Sequence, residues 1–329
     1  MQNFWNIAMI YAGTVIGAGF ASGQELSQYF LKYGKQGVFG ILISVALFTL
    51  LAAVVLCKIS AVKPKNASQY FGGNYISKVY FVLSTLFMFV TFCTMVTATG
   101  EMFEENLGLP RIVGMVIMWL LCIITLKKGE QGTVAVNKLM TPIIIIITVG
   151  IFLYTFFIHT KQTFAAERLV YNYATSAFVY VSYNTLGIIA VFTSVSDLVK
   201  NKTTAVLAAA TGGFLLLVTS LCLWYILYTG DFCGAKIPVL AALDGWCRNL
   251  YMPVLFCAMA TTAVSCGFAV MRSVNVNPNI TIFAMIIISY IVSCIGFERL
   301  VADVYAFFGY VGFFMGAYTI IDGIKFLKR

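Results

Sequence analysis

The sequence predicts an all-α integral membrane protein: ten transmembrane helices in one domain, with interrupted helices 1 and 6 at corresponding places in two five-helix halves. Three observations predict it. The 329 residues are 61% hydrophobic and only 10% charged, with a mean hydropathy of +0.93, whereas a soluble domain has about 45–50% apolar and about 25% charged residues. Apolar runs recur roughly every 33 residues, 329 divided by ten, and a helix of ~20 residues spans the ~30 Å hydrocarbon layer. Two of these runs carry clustered glycines or polar residues that an ordinary span lacks.

In order, the runs fall at roughly 4–31, 37–61, 77–100, 110–126, 134–158, 170–199, 203–229, 250–271, 280–297 and 300–324, and each predicts a helix. The first contains Gly13-Thr-Val-Ile-Gly17-Ala-Gly19-Phe-Ala-Ser-Gly23, four glycines in eleven residues, then Gln24 and Glu25. An interior glycine costs a helix about 1 kcal/mol relative to alanine. The third offers Phe89, Phe92 and Cys93 at mid-depth as wall residues. The fifth carries Lys138 near its cytoplasmic end, placed to snorkel to the surface. The sixth is polar at mid-membrane, with Tyr180, Ser182, Tyr183 and Asn184 before Gly187, and reads as a second interrupted helix. Asp231 to Asn249 is too polar to span and predicts an extracellular loop with a short helix. The eighth run carries the hydroxyls Thr261, Thr262 and Ser265, and Asp197, Glu298 and Asp303 lie near span ends.

Charge traces topology. The 21 Lys plus Arg against 12 Asp plus Glu sit singly between apolar runs, which argues against nucleic acid as a partner. Thirteen of the basic residues fall in breaks on one side and eight on the other, predicting cytoplasmic N- and C-termini. The sequons at Asn66, Asn201 and Asn279 then face the cytoplasm, so glycosylation is not expected. Nine cysteines without a CxxC pair predict apolar packing residues, not a zinc site or a disulfide framework. No Lys or Arg precedes the first run, so the first helix is expected to stay and not to be a cleaved signal.

An enzyme is not expected. The single histidine, His159, cannot make an HExxH pair, and no GxSxG or P-loop is present. The stretch Gly17 to Gly23 is one residue too long for GxGxxG and follows no strand. No cofactor is expected.

Spans one and six are five apart, so a second five-helix unit enters the membrane from the opposite side. Interrupted helices at corresponding places in inverted halves point to a transporter's central site. At bilayer depth, unwound backbone must be satisfied by protein or a water-filled cavity. Its free N–H groups suit a carboxylate and its free carbonyls a cation or an ammonium group. The competing reading of the glycines is close helix packing, and that of the hydroxyls is bonding to the carbonyl one turn back.

The run Gly13-Thr-Val-Ile-Gly-Ala-Gly-Phe-Ala-Ser-Gly-Gln-Glu25 and Phe178-x-Tyr-Val-Ser-Tyr-Asn184 resemble the YkvI-like bacterial membrane proteins, a branch that looks like the LeuT-fold amino acid–polyamine–organocation superfamily. The resemblance implies a LeuT-like 5+5 inverted repeat, halves at approximately 1–160 and 165–329, in a bacterial plasma membrane. It implies substrate binding by Gly17, Ala18, Gly19, Tyr180, Ser182, Tyr183 and Asn184. It also implies a Na+ site from Gly13, Ile16, Ala258, Thr261 and Thr262, with Na+ as the coupling ion. Glu25 and Asp303 stand as coupling or gate residues, although the Arg that sodium-coupled relatives place in helix one is replaced here by Gly23.

The function expected is secondary active transport, by alternating access, of a small amino-acid-like or amine solute, coupled to Na+ first and H+ second. The partners are that solute and the lipid bilayer. The alternative is a nutrient-binding membrane receptor without transport. Oligomeric state, substrate and direction are not fixed by the sequence.

Overall fold

A computed structural model describes residues 2–73, 75–158, 172–230, 235, 237–274 and 276–327. His159, Asp231, Cys233, Lys328 and Arg329 lie outside the described residues. Every regular element among the described residues is helical: α1 (Gln2–Val15), α2 (Ala18–Ala21), α3 (Gln24–Tyr29), α4 (Gly37–Val62), α5 (Ala67–Tyr70), α6 (Tyr75–Leu107), α7 (Arg111–Leu126), α8 (Gly129–Ile158), α9 (Tyr173–Ser194), α10 (Lys202–Thr229), α11 (Pro238–Ala242), α12 (Gly245–Ser273), α13 (Pro278–Ser293), α14 (Phe297–Arg299) and α15 (Tyr305–Leu327). Among the described residues, seven segments are long and apolar enough to cross a membrane, and three shorter apolar helices, Phe4–Val15, Arg111–Leu126 and Pro278–Ser293, accompany them. Large apolar side chains such as Ile146, Phe214, Phe283 and Phe314 point outward. An apolar exterior around a polar-containing interior is that of a multi-pass membrane protein.

Local chemistry sets the helix starts. Asn66, Asn172, Asn201 and Asn277 each cap a helix, their side chains accepting from the amides of Gln69, Ala174, Thr204 and Asn279. Two of the three sequons, at Asn66 and Asn201, are therefore helix N-caps.

The first segment is broken as its glycines predict. Ile16 N donates to Ala12 O at 2.8 Å, the last rung of α1, but Gly17 N turns back to Val15 O at 2.9 Å. Gly17 is extended at φ −88° and ψ −170°, and the ladder restarts with Ala21 N to Gly17 O at 2.8 Å. Gly23, left-handed at φ 84°, makes a second turn before α3.

The sixth segment departs from expectation. α9 runs unbroken from Tyr173 to Ser194. Its polar groups are spent on the helix itself: Ser182 Oγ donates to Phe178 O at 2.7 Å, Asn184 Nδ2 to Tyr180 O at 3.0 Å and Thr185 Oγ1 to Val181 O at 2.9 Å. Bonding to the carbonyl one turn back satisfies these side chains without opening the helix.

Pairing follows a pattern. α1 packs on α10 as α9 packs on α4, α1 on α8 as α9 on α15, and α6 on α13 as α12 on α7. α4 also packs on α10, and α6 on α12. The loop expected between spans seven and eight does carry a short helix, α11, with Pro238, Val239 and Leu240 buried. Val239 N donates to Ser22 O at 2.9 Å, and Tyr251 OH donates to Ala21 O at 2.9 Å, so the carbonyls that end α2 are satisfied from α11 and α12.

Lys58 belongs to the core rather than to the topology signal. It is buried and ion-paired with Asp322 of α15, with its Nζ 4.4 Å from the centroid of the Tyr70 ring. The eight described cysteines are all free. No group of three potential metal-ligating side chains occurs among the described residues.

Candidate functional site

The break in α1 lies where α1, α8 and α12 meet. Because Gly17 N bonds Val15 O, the carbonyl of Gly13 is left without its own helical donor. It is taken instead by two hydroxyls of α12: Thr262 Oγ1 donates to Gly13 O at 2.9 Å and Thr261 Oγ1 at 3.2 Å, while Thr261 also reaches Ala258 O at 3.0 Å. Gly13, Ala258, Thr261 and Thr262 are thus one oxygen cluster. Ile16 lies in the break itself, and a Cβ on its neighbour Gly17 would sit 3.3 Å from Thr262 Oγ1.

Sequence reasoning missed a further member. Asn137 on α8 is fully buried, and its Nδ2 donates to Thr133 O at 2.9 Å and to Ser265 Oγ at 3.0 Å. The Thr133 carbonyl can only accept, so the amide nitrogen must face it and Oδ1 must face the other way. That oxygen has no hydrogen-bond partner, and a Cβ on Gly13 would lie 2.3 Å from it. Thr141 Oγ1 donates to Met9 O at 3.2 Å, beside the same glycine. The signal was present, since Thr133, Asn137 and Thr141 recur every four residues and all face inward. Lys138, the residue weighed for this helix, is exposed.

Next to the cluster lies a cavity of ≈ 30 Å³, lined among others by Gly17, Gly19, Glu25, Thr91, Tyr183 and Tyr305. One water needs about 10–15 Å³, so the space is of a size to accommodate an ammonium group. Thr262 also lines it and joins it to the oxygen cluster.

Of the residues expected to touch substrate, Gly17, Gly19, Tyr183 and Asn184 line the cavity. Three do not. Ala18 is buried with its amide given to Met95 Sδ at 3.4 Å. Tyr180 packs edge-on against Phe30 and Phe48, with ring centroids 5.2 and 5.6 Å away, and borders a separate small cavity. Ser182 faces α15, where a Cβ on Gly312 would lie 2.1 Å from its carbonyl. The α6 wall is built by Phe87, Met88, Thr91 and Met95, not by Phe89, Phe92 or Cys93. The inward face of α6 follows that i, i+1, i+4, i+8 spacing.

Glu25 and Asp303, the two coupling or gate candidates, stand in different settings. Asp303 is exposed within the π-helical turn Leu300–Val304, whose buried neighbours Leu300, Val301 and Tyr305 point the other way. Glu25 is 5% exposed and its Oε2 lacks a partner. A Cβ on Gly19 would lie 2.4 Å from Glu25 Oε1, so the carboxylate folds directly over that glycine. Tyr29, Tyr180, Tyr183 and Tyr305 stand around it, with neighbouring ring centroids 5.5 to 5.7 Å apart. The hydroxyls of Tyr180 and Tyr183 face the carboxylate without reaching hydrogen-bonding geometry.

The described residues thus form a helical membrane bundle with a broken first helix, a carbonyl–hydroxyl cluster and a small adjoining cavity. The fold is shared with the Eremococcus coleocola manganese transporter (TM-score 0.63, 12% identity, 96% of this chain and 76% of that one). It is likewise shared with a Na+-coupled sialic acid symporter in a substrate-bound outward-open state (TM-score 0.60, 14% identity, 96% and 77%). In sequence, the chain is similar to the uncharacterized membrane protein YkvI of Bacillus subtilis (strain 168), 28% identical over 326 residues that cover 94% of each protein. It is also similar to the uncharacterized protein YyaD of the same strain, 22% identical over 321 residues, 93% of each. No family model matches the sequence. The resemblance carried by the first-helix motif thus extends along almost the whole chain.

Proposed function

We propose that the protein is a secondary active transporter that moves a small amino-acid-like or amine solute by alternating access, coupled to Na+ or, failing that, to H+. The observation that carries the reading is the break at Ile16–Gly17, which frees the Gly13 carbonyl for Thr261 and Thr262 beside a cavity at the centre of the bundle. A hard monovalent cation needs several oxygen ligands. We read the Gly13 and Ala258 carbonyls, the Thr261 and Thr262 hydroxyls and the neighbouring Asn137 amide oxygen as supplying that chemistry, with the Ile16 carbonyl added from the break. Binding there ties α1 to α12, so ion occupancy favours one arrangement of the two helices over another.

The chain is read as one domain of ten spans in two inverted halves, α1–α8 and α9–α15. The repeated packing supports this, and so do the matched helices. α4 and α10 have 26 and 28 residues, and α7 and α13 have 16 each. A short helix follows α4 as another follows α10, α5 and α11 respectively. Both termini are assigned to the cytoplasm of a bacterial cell on the distribution of Lys and Arg. The similarity to a Na+-coupled symporter in fold makes sodium the first ion to test.

Purified protein in liposomes, given a panel of labelled amino acids and amines, is expected to accumulate one of them when an inward Na+ or H+ gradient is imposed. Saturable binding with no gradient-dependent uptake would assign it instead to the receptors.

A further inference from the structure

We infer that the solute is recognised as a cation: the cavity at the α1 break takes the ammonium group of a small amine, with Glu25 as its counter-ion, and does not take the carboxylate of an amino acid. The inference rests on the transporter reading above and narrows its solute class.

Among the described residues, Glu25 is the single charged side chain lining the cavity, and no described Lys or Arg borders it. A buried carboxylate can only accept hydrogen bonds, at about four lone-pair sites, and leaving it without donors or a counter-charge is costly. Its Oε2 is fully buried and unpartnered. The hydroxyls of Tyr183 and Tyr305, which line the same space, are unpartnered as well. A group carrying positive charge and several N–H donors satisfies all of these at once. The rings of Phe87, Tyr183 and Tyr305 add aromatic surface around it, with centroids of Phe87 and Tyr305 5.6 Å apart, and ring faces attract an ammonium group.

Two of the backbone donors at the break that could hold a carboxylate are already committed. Gly17 N is bound to Val15 O at 2.9 Å and Ala18 N to Met95 Sδ at 3.4 Å. The next residue, Gly19, is covered by the Glu25 carboxylate itself. A solute carboxylate arriving here meets a like charge in a water-poor setting, where Coulomb repulsion is strong. The volume is consistent, since ≈ 30 Å³ suits an ammonium head and leaves the rest of the solute to be admitted by opening of the bundle.

The test uses the full chain purified in detergent, with thermal stabilisation measured against butylamine, putrescine, 4-aminobutyrate, alanine and butyramide. Stabilisation is expected at concentrations at least tenfold lower for the better of the two amines than for 4-aminobutyrate or alanine, with butyramide inert. Glu25→Gln is expected to abolish the amine effect. A zwitterion that binds as well as the amines overturns the inference, as does the absence of stabilisation by either amine, or an undiminished amine effect in folded Glu25→Gln. Should that variant not fold, the wild-type ranking alone decides. Labelled-amine uptake into liposomes separates the two levels. Glu25-dependent amine binding without uptake upholds the cation site and overturns transport, while gradient-driven accumulation of a zwitterion with no amine binding does the reverse.

Discussion

Gly13 holds the oxygen cluster together, because its carbonyl is the one α1 gives up at the break and its missing side chain makes room for α8. A Cβ there would lie 2.3 Å from Asn137 Oδ1 and 2.8 Å from Thr141 Oγ1. Gly13→Ala is therefore expected to destabilise by about 1–3 kcal/mol, the usual cost of overpacking a tight core, and to remove any stabilisation by NaCl. Thermal melts with NaCl or choline chloride check both, and an unchanged melt would mean that α1 and α8 are not held together there. Asn137→Ala is expected to leave the fold largely intact while weakening the NaCl response in the same assay, since Asn137 contributes an oxygen with no other partner. The adjacent hydroxyls Thr261 and Thr262 were legible in the sequence because two polar residues stand out in an apolar run. Asn137 was not, because it sits next to a lysine, and Lys138 drew the reading that belonged to its neighbour. Glu25 was legible as an anomaly, but its cage of tyrosines comes from three separate segments and could be seen only once folded.

At the scale of elements, four glycines in eleven residues identified the broken first segment, since no helix carries that density without a reason. The sixth segment misled because polar residues at mid-membrane have two outlets, opening the helix or bonding one turn back. Ser182, Asn184 and Thr185 take the second. The choice depends on what faces each residue, and the packing of Ser182 against Gly312 is a contact 130 residues distant in sequence. Lys58 shows the same limit, because the sequence places it near a membrane end while Asp322, on the far side of the chain, draws it into the core between α4 and α15. Removing one partner of such a pair leaves a charge uncompensated. Asp322→Asn is expected to cost about 2 kcal/mol, below the range for a fully enclosed pair, because the Asp322 side chain is 28% exposed. Lys58→Met together with Asp322→Leu should recover most of the loss. Equal melting temperatures for wild type and Asp322→Asn would show that the pair contributes nothing.

For the whole molecule, length and hydropathy led directly to a multi-pass bundle, and the odd offset of five between the first and sixth runs led to the idea of inverted halves. The pairwise packing repeats in the way two inverted halves would require: α4 meets α10 and α6 meets α12, and α1 meets α10 as α9 meets α4. The site lies on the asymmetric part, where only the first segment is broken, and this concentrates the freed backbone on α1 against the hydroxyls of α12. The proposed transport rests on a cation bound between these two helices that drives solute movement. Sodium activation of solute uptake in liposomes, compared between wild type and Thr261→Ala with Thr262→Ala, tests this. The double variant is expected to reach the membrane folded and to bind solute, yet to need at least tenfold more Na+ for half-maximal uptake. Identical sodium activation of the two proteins would contradict it.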